Sequence, residues 1–287
     1  MPISESVMFG IFAMMSYGLA DFLTKKAVGK YNEFTALKIS LASGTVALLI
    51  YSLLFVPFPT VSLTTTLFIL LTGALAAVGW IAFYKGLKVG KVSIVSPIAS
   101  SWGLVPFILA ILILSERLTL QQTFLSAIIF VGIFLVSVRW KEFVSAAKKR
   151  FHTGAGLALF AMVTFGLSGF FTKFVVNELD VFYTVIFVRM VATAVVFILA
   201  KKSKAKEKMN LSFIWILISI GILDTLGYLS FNIGLSTGIV SIVSAITSTA
   251  PLVAVVLAYP ILKEKLSANQ YLGIILIISG LVGLSFL

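Results

Sequence analysis

Apolar residues run along this chain in blocks separated by short polar or glycine-bearing breaks, with neither the period of two of a half-buried strand nor a one-sided helical stripe. Each block is roughly 20 residues long, enough for a helix to cross a hydrocarbon core about 30 Å thick. A backbone in lipid must satisfy its own hydrogen bonds, so the blocks predict membrane-spanning helices. Ten spans result: Glu5–Thr24, Thr35–Phe55, Thr65–Gly86, Val92–Leu114 and Gln121–Val138, then Gly154–Phe174, Phe182–Ala200, Leu211–Leu235, Val240–Leu262 and Asn269–Leu287. The first keeps its lysines after the apolar run, unlike a cleavable signal peptide, and is expected to remain as a span.

Self-comparison organises these spans. A shift of 148 positions lays Phe231, Gly234, Leu235, Gly238, Val240, Ser241, Ile242, Val243 and Ser244 on identical residues from Phe83 to Ser96. The same shift pairs Gly18, Phe22 and Lys25 with Gly166, Phe170 and Lys173, and Glu116, Gln122 and Gly132 with Glu264, Gln270 and Gly280. Shared greasiness would not align glycines, serines and charges in constant register, so one unit was duplicated. Residues 1–140 form the first repeat, 141–152 a basic connecting loop and 153–287 the second repeat. Five spans per repeat are an odd number, so the second copy enters the membrane from the opposite face. The expected fold is an all-α membrane protein with ten transmembrane helices in two inverted-topology five-helix repeats.

Composition narrows the function. The chain is 60% hydrophobic and 11% charged, so a lipid bilayer has to cover it. Its net charge of +12 does not point to nucleic acid, because the basic residues cluster between spans instead of forming a surface stripe. Of 22 lysines and arginines, 19 fall in the loops after odd-numbered spans or in the span ends that flank them, which places those loops in the cytoplasm and both termini on the other side of a cell membrane. Cysteine is absent and His152 is the single histidine, so no metal set is expected, and no cofactor motif is present. A membrane-embedded enzyme lacks the acid, base or metal cluster it would need. A structural or regulatory membrane protein is the alternative that fits the scaffold.

Polar residues inside spans are the candidate site. Asp224 and Arg189 are costly in lipid and need a partner or water. Counted from the non-cytoplasmic face they lie at about 15 Å and about 12 Å, level enough to pair. Two roles stay open: a structural ion pair, or groups that meet a substrate charge or carry a coupling proton. Asp21 lies one turn from Lys25 and is expected to pair with it near the interface. Trp80 and Tyr84 stand one turn apart and align with Tyr228 and Asn232, on the face that holds Asp224, giving each repeat a polar-aromatic stripe. Such a stripe lines a small-molecule cavity or packs the interior. Ser93, Ser96 and Ser100 align with Ser241, Ser244 and Ser248, where small side chains serve close packing or a cavity wall. Pro97, Pro106 and Pro251 break their spans, with Trp102 between the first two.

Each repeat ends in an acidic, a basic, a leucine and a hydroxyl residue before its last span, as Glu116-Arg117-Leu118-Thr119 and Glu264-Lys265-Leu266-Ser267. Pro251 precedes Glu264 by thirteen positions, and Lys38 and Arg189 sit early in the second span of each repeat. These features resemble the drug/metabolite transporter superfamily in its EamA-domain branch. Gly103 replaces the proline in the first repeat, with Pro106 three residues on, so the bend of the fourth span is expected to be displaced. The resemblance implies a secondary transporter or exporter of a small polar metabolite, amino acids or related compounds first, with Trp80, Tyr84, Trp102, Arg189, Asp224, Tyr228, Asn232 and Ser248 as substrate-binding candidates. It also implies that the fifth and tenth spans are scaffold or homodimer contacts.

Overall fold

The computed structural model describes residues 3–27, 33–89, 92–138, 152–200, 211–262 and 266–287. Among them are twelve α-helices, of which six form the first repeat: α1 (Ile3–Ala27), α2 (Glu33–Phe55), α3 (Leu63–Val89), α4 (Val92–Ser100), α5 (Leu104–Ile113) and α6 (Leu120–Ser137). The second repeat has α7 (His152–Val176), α8 (Val181–Ala200), α9 (Leu211–Thr237), α10 (Val240–Thr247), α11 (Ala250–Leu262) and α12 (Ala268–Ser285). Nine segments among the described residues are long and apolar enough to cross a membrane, and the shorter apolar stretch Ile98–Ile113 belongs to the fourth span. The basic residues Lys141–Arg150 and Lys201–Lys208, together with Glu264, Lys265 and the side chains of Lys25, Ser93 and Pro97, lie outside the described residues.

Polar side chains start the helices where the apolar blocks begin. The Ser62 hydroxyl accepts from the Thr65 amide at 3.1 Å ahead of α3. At α6 the Gln122 amide donates to the Thr119 hydroxyl at 3.2 Å, while the Thr119 amide donates to the Gln122 side chain at 2.9 Å. Asp180 accepts from the Phe182 amide at 2.8 Å at the start of α8. Each bond satisfies an amide that the first helical turn leaves without a partner.

Packing carries the symmetry of the sequence into three dimensions. Helix α1 runs antiparallel along α9, with Ser6 against Gly238 and Tyr17 against Gly227, and α3 runs antiparallel along α7, with Gly79 against Phe165 and Gly86 near Leu157. The contacts exchange under the 148-residue shift: Gly18 abuts Val253 and the Ala250 carbonyl, while Gly166 abuts Val105 and the Trp102 carbonyl. The last helix of each repeat settles the relative sense, since Gly132 meets Ile277 and Gly280 meets Ile129, so α6 and α12 run antiparallel. The two copies therefore lie in opposite senses. Ile129, Ile133 and Ile277 are fully buried in a core that α6 and α12 share with Val7, Ile242, Ile246 and Leu252.

The break of the fourth span is not displaced. Helix α4 ends at Ser100 and gives way to a 3-10 turn at Ser101–Gly103, and α10 ends at Thr247 before a turn at 248–249. These positions correspond within a residue under the repeat. The cause is the crossing of the two spans: a Cβ on Gly103 would stand 2.5 Å from both the Ser244 carbonyl oxygen and the Ser248 hydroxyl. Close approach at that level fixes the break, and the different proline positions do not move it.

Candidate functional site

The two breaks and parts of α1, α2, α3, α7, α8 and α9 line a cavity of about 170 Å³. Its walls come from equivalent positions of the two repeats. Trp80 faces in with Tyr228, Phe83 with Phe231, Tyr17 with Phe165, and Ser100 with Ser248. Its charges break that symmetry: Asp21, Arg189 and Asp224 line it where the other repeat supplies Gly169, Leu41 and Ala76. Two carboxylates against one guanidinium leave the lining formally one negative charge in excess.

Arg189 donates from Nη1 to Asp224 Oδ2 at 2.7 Å, with the two side chains 6% and 15% exposed. This is the pair that their matched depths predict. Arg189 Nε and Nη2, however, are buried without a hydrogen-bond partner. A guanidinium presents five donors in a planar fork suited to two parallel bonds with a carboxylate or phosphate. Here one arm of the fork is used and the Nε–Nη2 edge is free.

Aromatic rings lock the walls. Trp80 packs edge-on against Phe165 at 5.1 Å between centroids, and Trp102 edge-on against Phe231 at 5.5 Å. The Tyr228 hydroxyl lies 2.9 Å from the Thr172 hydroxyl, which donates to the Ser168 carbonyl oxygen at 2.8 Å. The Ser248 hydroxyl donates to the Ala245 carbonyl oxygen at 3.0 Å, so it bonds within its own helix end.

Of the sequence candidates, Trp80, Trp102, Arg189, Asp224, Tyr228 and Ser248 are brought together around the cavity, whereas Tyr84 and Asn232 are not. Tyr84 is 8% exposed and packs among Leu37, Ala77 and Val196. Asn232 is fully buried and donates back to the Tyr228 carbonyl oxygen at 2.7 Å. Both lie one turn further along the stripe, where neighbouring helices close over it. Asp21 lines the cavity one turn from Tyr17, and its expected pairing with Lys25 falls on a side chain outside the described residues. The signal for this pair was present, because the 148-residue shift lays Tyr17 and Asp21 on Phe165 and Gly169, one face of the equivalent helix. Lys38 does not line the cavity; its ammonium sits 5.2 Å over the Phe197 ring.

Known proteins agree with this architecture. A solved crystal structure that is 13% identical superimposes with a TM-score of 0.82 over 98% of each chain, which shows the fold. A protein of Archaeoglobus fulgidus described as an uncharacterized transporter is 23% identical over 278 residues, 96% of each chain. An uncharacterized protein of Methanocaldococcus jannaschii is 27% identical over 133 residues, which are 96% of that protein but 46% of this one. It is a relative about the length of one repeat. The profile of the EamA-like transporter family matches residues 5–138 and again residues 152–286. With both halves matched, the chain belongs to the EamA-like transporter family and is a multi-pass membrane transporter.

Proposed function

We propose that this protein is a secondary transporter or exporter of a small polar metabolite, with amino acids and related compounds as the first class. It works by alternating access at the cavity between its inverted repeats. The free Nε–Nη2 edge of Arg189 carries this reading. A buried donor without a partner costs about 1–3 kcal/mol, more for a charged group, and a substrate carboxylate would recover it once movement of the repeats bares this edge, which is buried in the present conformation. Asp21 and Asp224 offer a place for an ammonium group, and the aromatic walls take the apolar remainder. Size supports a small cargo, since a cavity of about 150 Å³ admits a molecule such as benzene. Packing alone gives Arg189 no reason to keep two donors unpaired, which favours transport over a structural role.

The protein resides in this reading in the cell membrane, with basic loops cytoplasmic, termini outside, and the lipid-facing sides of α6 and α12 available for a homodimer. Purified protein in liposomes, tested with a broad panel of labelled metabolites, is expected to move amino acids, with competition from carboxylate-bearing analogues and not from the corresponding amines. A panel in which nothing moves, with the protein still folded, would overturn the assignment. Lys204→Cys in this cysteine-free chain is expected to react with an impermeant maleimide from the cytoplasmic face alone.

A further inference from the structure

The two ends of the cavity differ although the repeat makes their residues equivalent. Toward one end, Asp21 is exposed and Ser96 and Phe83 are half-buried. Toward the other, their equivalents Gly169, Ser244 and Phe231 are buried, with Ser244 fully so and Phe231 1% exposed. All eight residues of α10 are buried. Ser241, Ser244 and Ser248 share one face of this segment, and Ser248 lines the cavity. Ser244 is thus the layer between the cavity and the sealed end, and Ser241 is the layer outside it.

Glu116 grips that outermost layer. Its Oε1 accepts from the Val240 amide at 2.8 Å, and its Oε2 accepts from the Ser241 amide at 3.1 Å and the Ser241 hydroxyl at 2.6 Å. The carboxylate comes from the end of the fourth span, in the other repeat. It satisfies two amides that the first turn of α10 leaves open, in the favourable position for an anion at a helix start. The chain is shaped for the contact: Ser115 alone among the described non-glycine residues has a positive φ, 55°, and this turn after α5 aims Glu116 back at α10. At the same end the Lys173 ammonium donates to the Leu235 carbonyl oxygen at 2.5 Å and lies within electrostatic reach of Glu116, tying the ends of α7 and α9 into the seal.

From these contacts we infer that Glu116 is a positioning residue of transport, whose grip on Val240 and Ser241 holds the cavity shut at this end while the Asp21 end is open. The inference rests on the alternating-access reading. Releasing Glu116 frees α10 to part from the fourth span, and the rigid repeats then close over Asp21 and Ser96. Three bonds to one carboxylate are a latch of the right kind, because each charge-assisted bond shifts a two-state balance by on the order of tenfold or more.

The chain has no cysteine, so single reporters can be placed at equivalent layers. Ser244→Cys and Ser96→Cys are each combined with Glu116→Gln and, separately, with Ser241→Ala, which keeps the carboxylate and removes one of its three bonds. Labelling by an impermeant maleimide is followed from each face in proteoliposomes, with thermal melting as the check on folding. Glu116→Gln is expected to raise Ser244→Cys labelling from the Glu116 face by on the order of tenfold and to lower Ser96→Cys labelling from the opposite face, with Ser241→Ala giving a smaller change of the same signs. Unchanged labelling in both folded variants overturns the proposal. So does a rise at Ser244→Cys without a fall at Ser96→Cys, which marks local fraying in place of a coupled switch. If Glu116→Gln does not fold, Ser241→Ala alone decides between these outcomes. The measurement uses no substrate, so an empty metabolite panel would sink the transport reading and leave this result standing.

Discussion

Removing one partner of the Arg189–Asp224 pair should do more damage than removing both. Asp224→Ala leaves a guanidinium that is 5% exposed with none of its three nitrogens bonded, given that Nε and Nη2 already have no partner. Stranding a buried charge costs about 3–5 kcal/mol, and access of Asp224 to the cavity puts this site at the lower end. At about 2–4 °C per kcal/mol, a loss of about 3 kcal/mol lowers the melting temperature by roughly 6–12 °C. The double variant Arg189→Leu with Asp224→Ala places in the second repeat the residues that the first carries at the same positions, Leu41 and Ala76. Both line the cavity in that setting, so the volumes suit the fold. An apolar replacement of a buried pair is commonly neutral or stabilising, so the double variant should melt within a few degrees of the natural protein and transport nothing. Melting of the three purified proteins in one detergent, with transport measured alongside, checks this. A double variant as unstable as Asp224→Ala would show that the pair braces the fold, and a single variant that melts like the natural protein would show that the guanidinium is well solvated.

Gly132→Ala should weaken the contact of α6 with α12, because its Cβ would stand 2.7 Å from Ile277 Cγ1 and 3.0 Å from the Gly273 carbonyl oxygen; overpacking of this kind costs about 1–3 kcal/mol, read by thermal melting. Tyr228→Phe should cost only about 1 kcal/mol, since Thr172 keeps its bond to the Ser168 carbonyl oxygen, and a loss several-fold larger would mean that the hydroxyl anchors more than Thr172.

The chain wrote its spans and its duplication plainly, because lipid demands long apolar blocks and because glycines and charges repeat at constant register. It also pointed to part of the cavity wall, since Trp80, Tyr228, Arg189 and Asp224 are conspicuous in lipid. What it hid was direction around each helix. Faces turned to lipid and faces turned to other helices are both apolar, so periodicity does not separate them. Tyr84 and Asn232 therefore looked like wall residues, and Asp21 drew notice for its neighbour Lys25 and not for the cavity. The role of Glu116 was equally hidden. Its motif is visible beside Thr119, but the amides it holds lie 124 and 125 residues further along the chain.

The unequal charges of the cavity have a consequence for how such a chamber can arise. Two identical chains paired about a twofold axis must supply every off-axis charge twice, so their lining can hold only even numbers of each. Asp21, Arg189 and Asp224 each occur once, opposite Gly169, Leu41 and Ala76. Joining both halves in one gene lets them diverge independently, and it permits an odd count that no assembly of twins can reach.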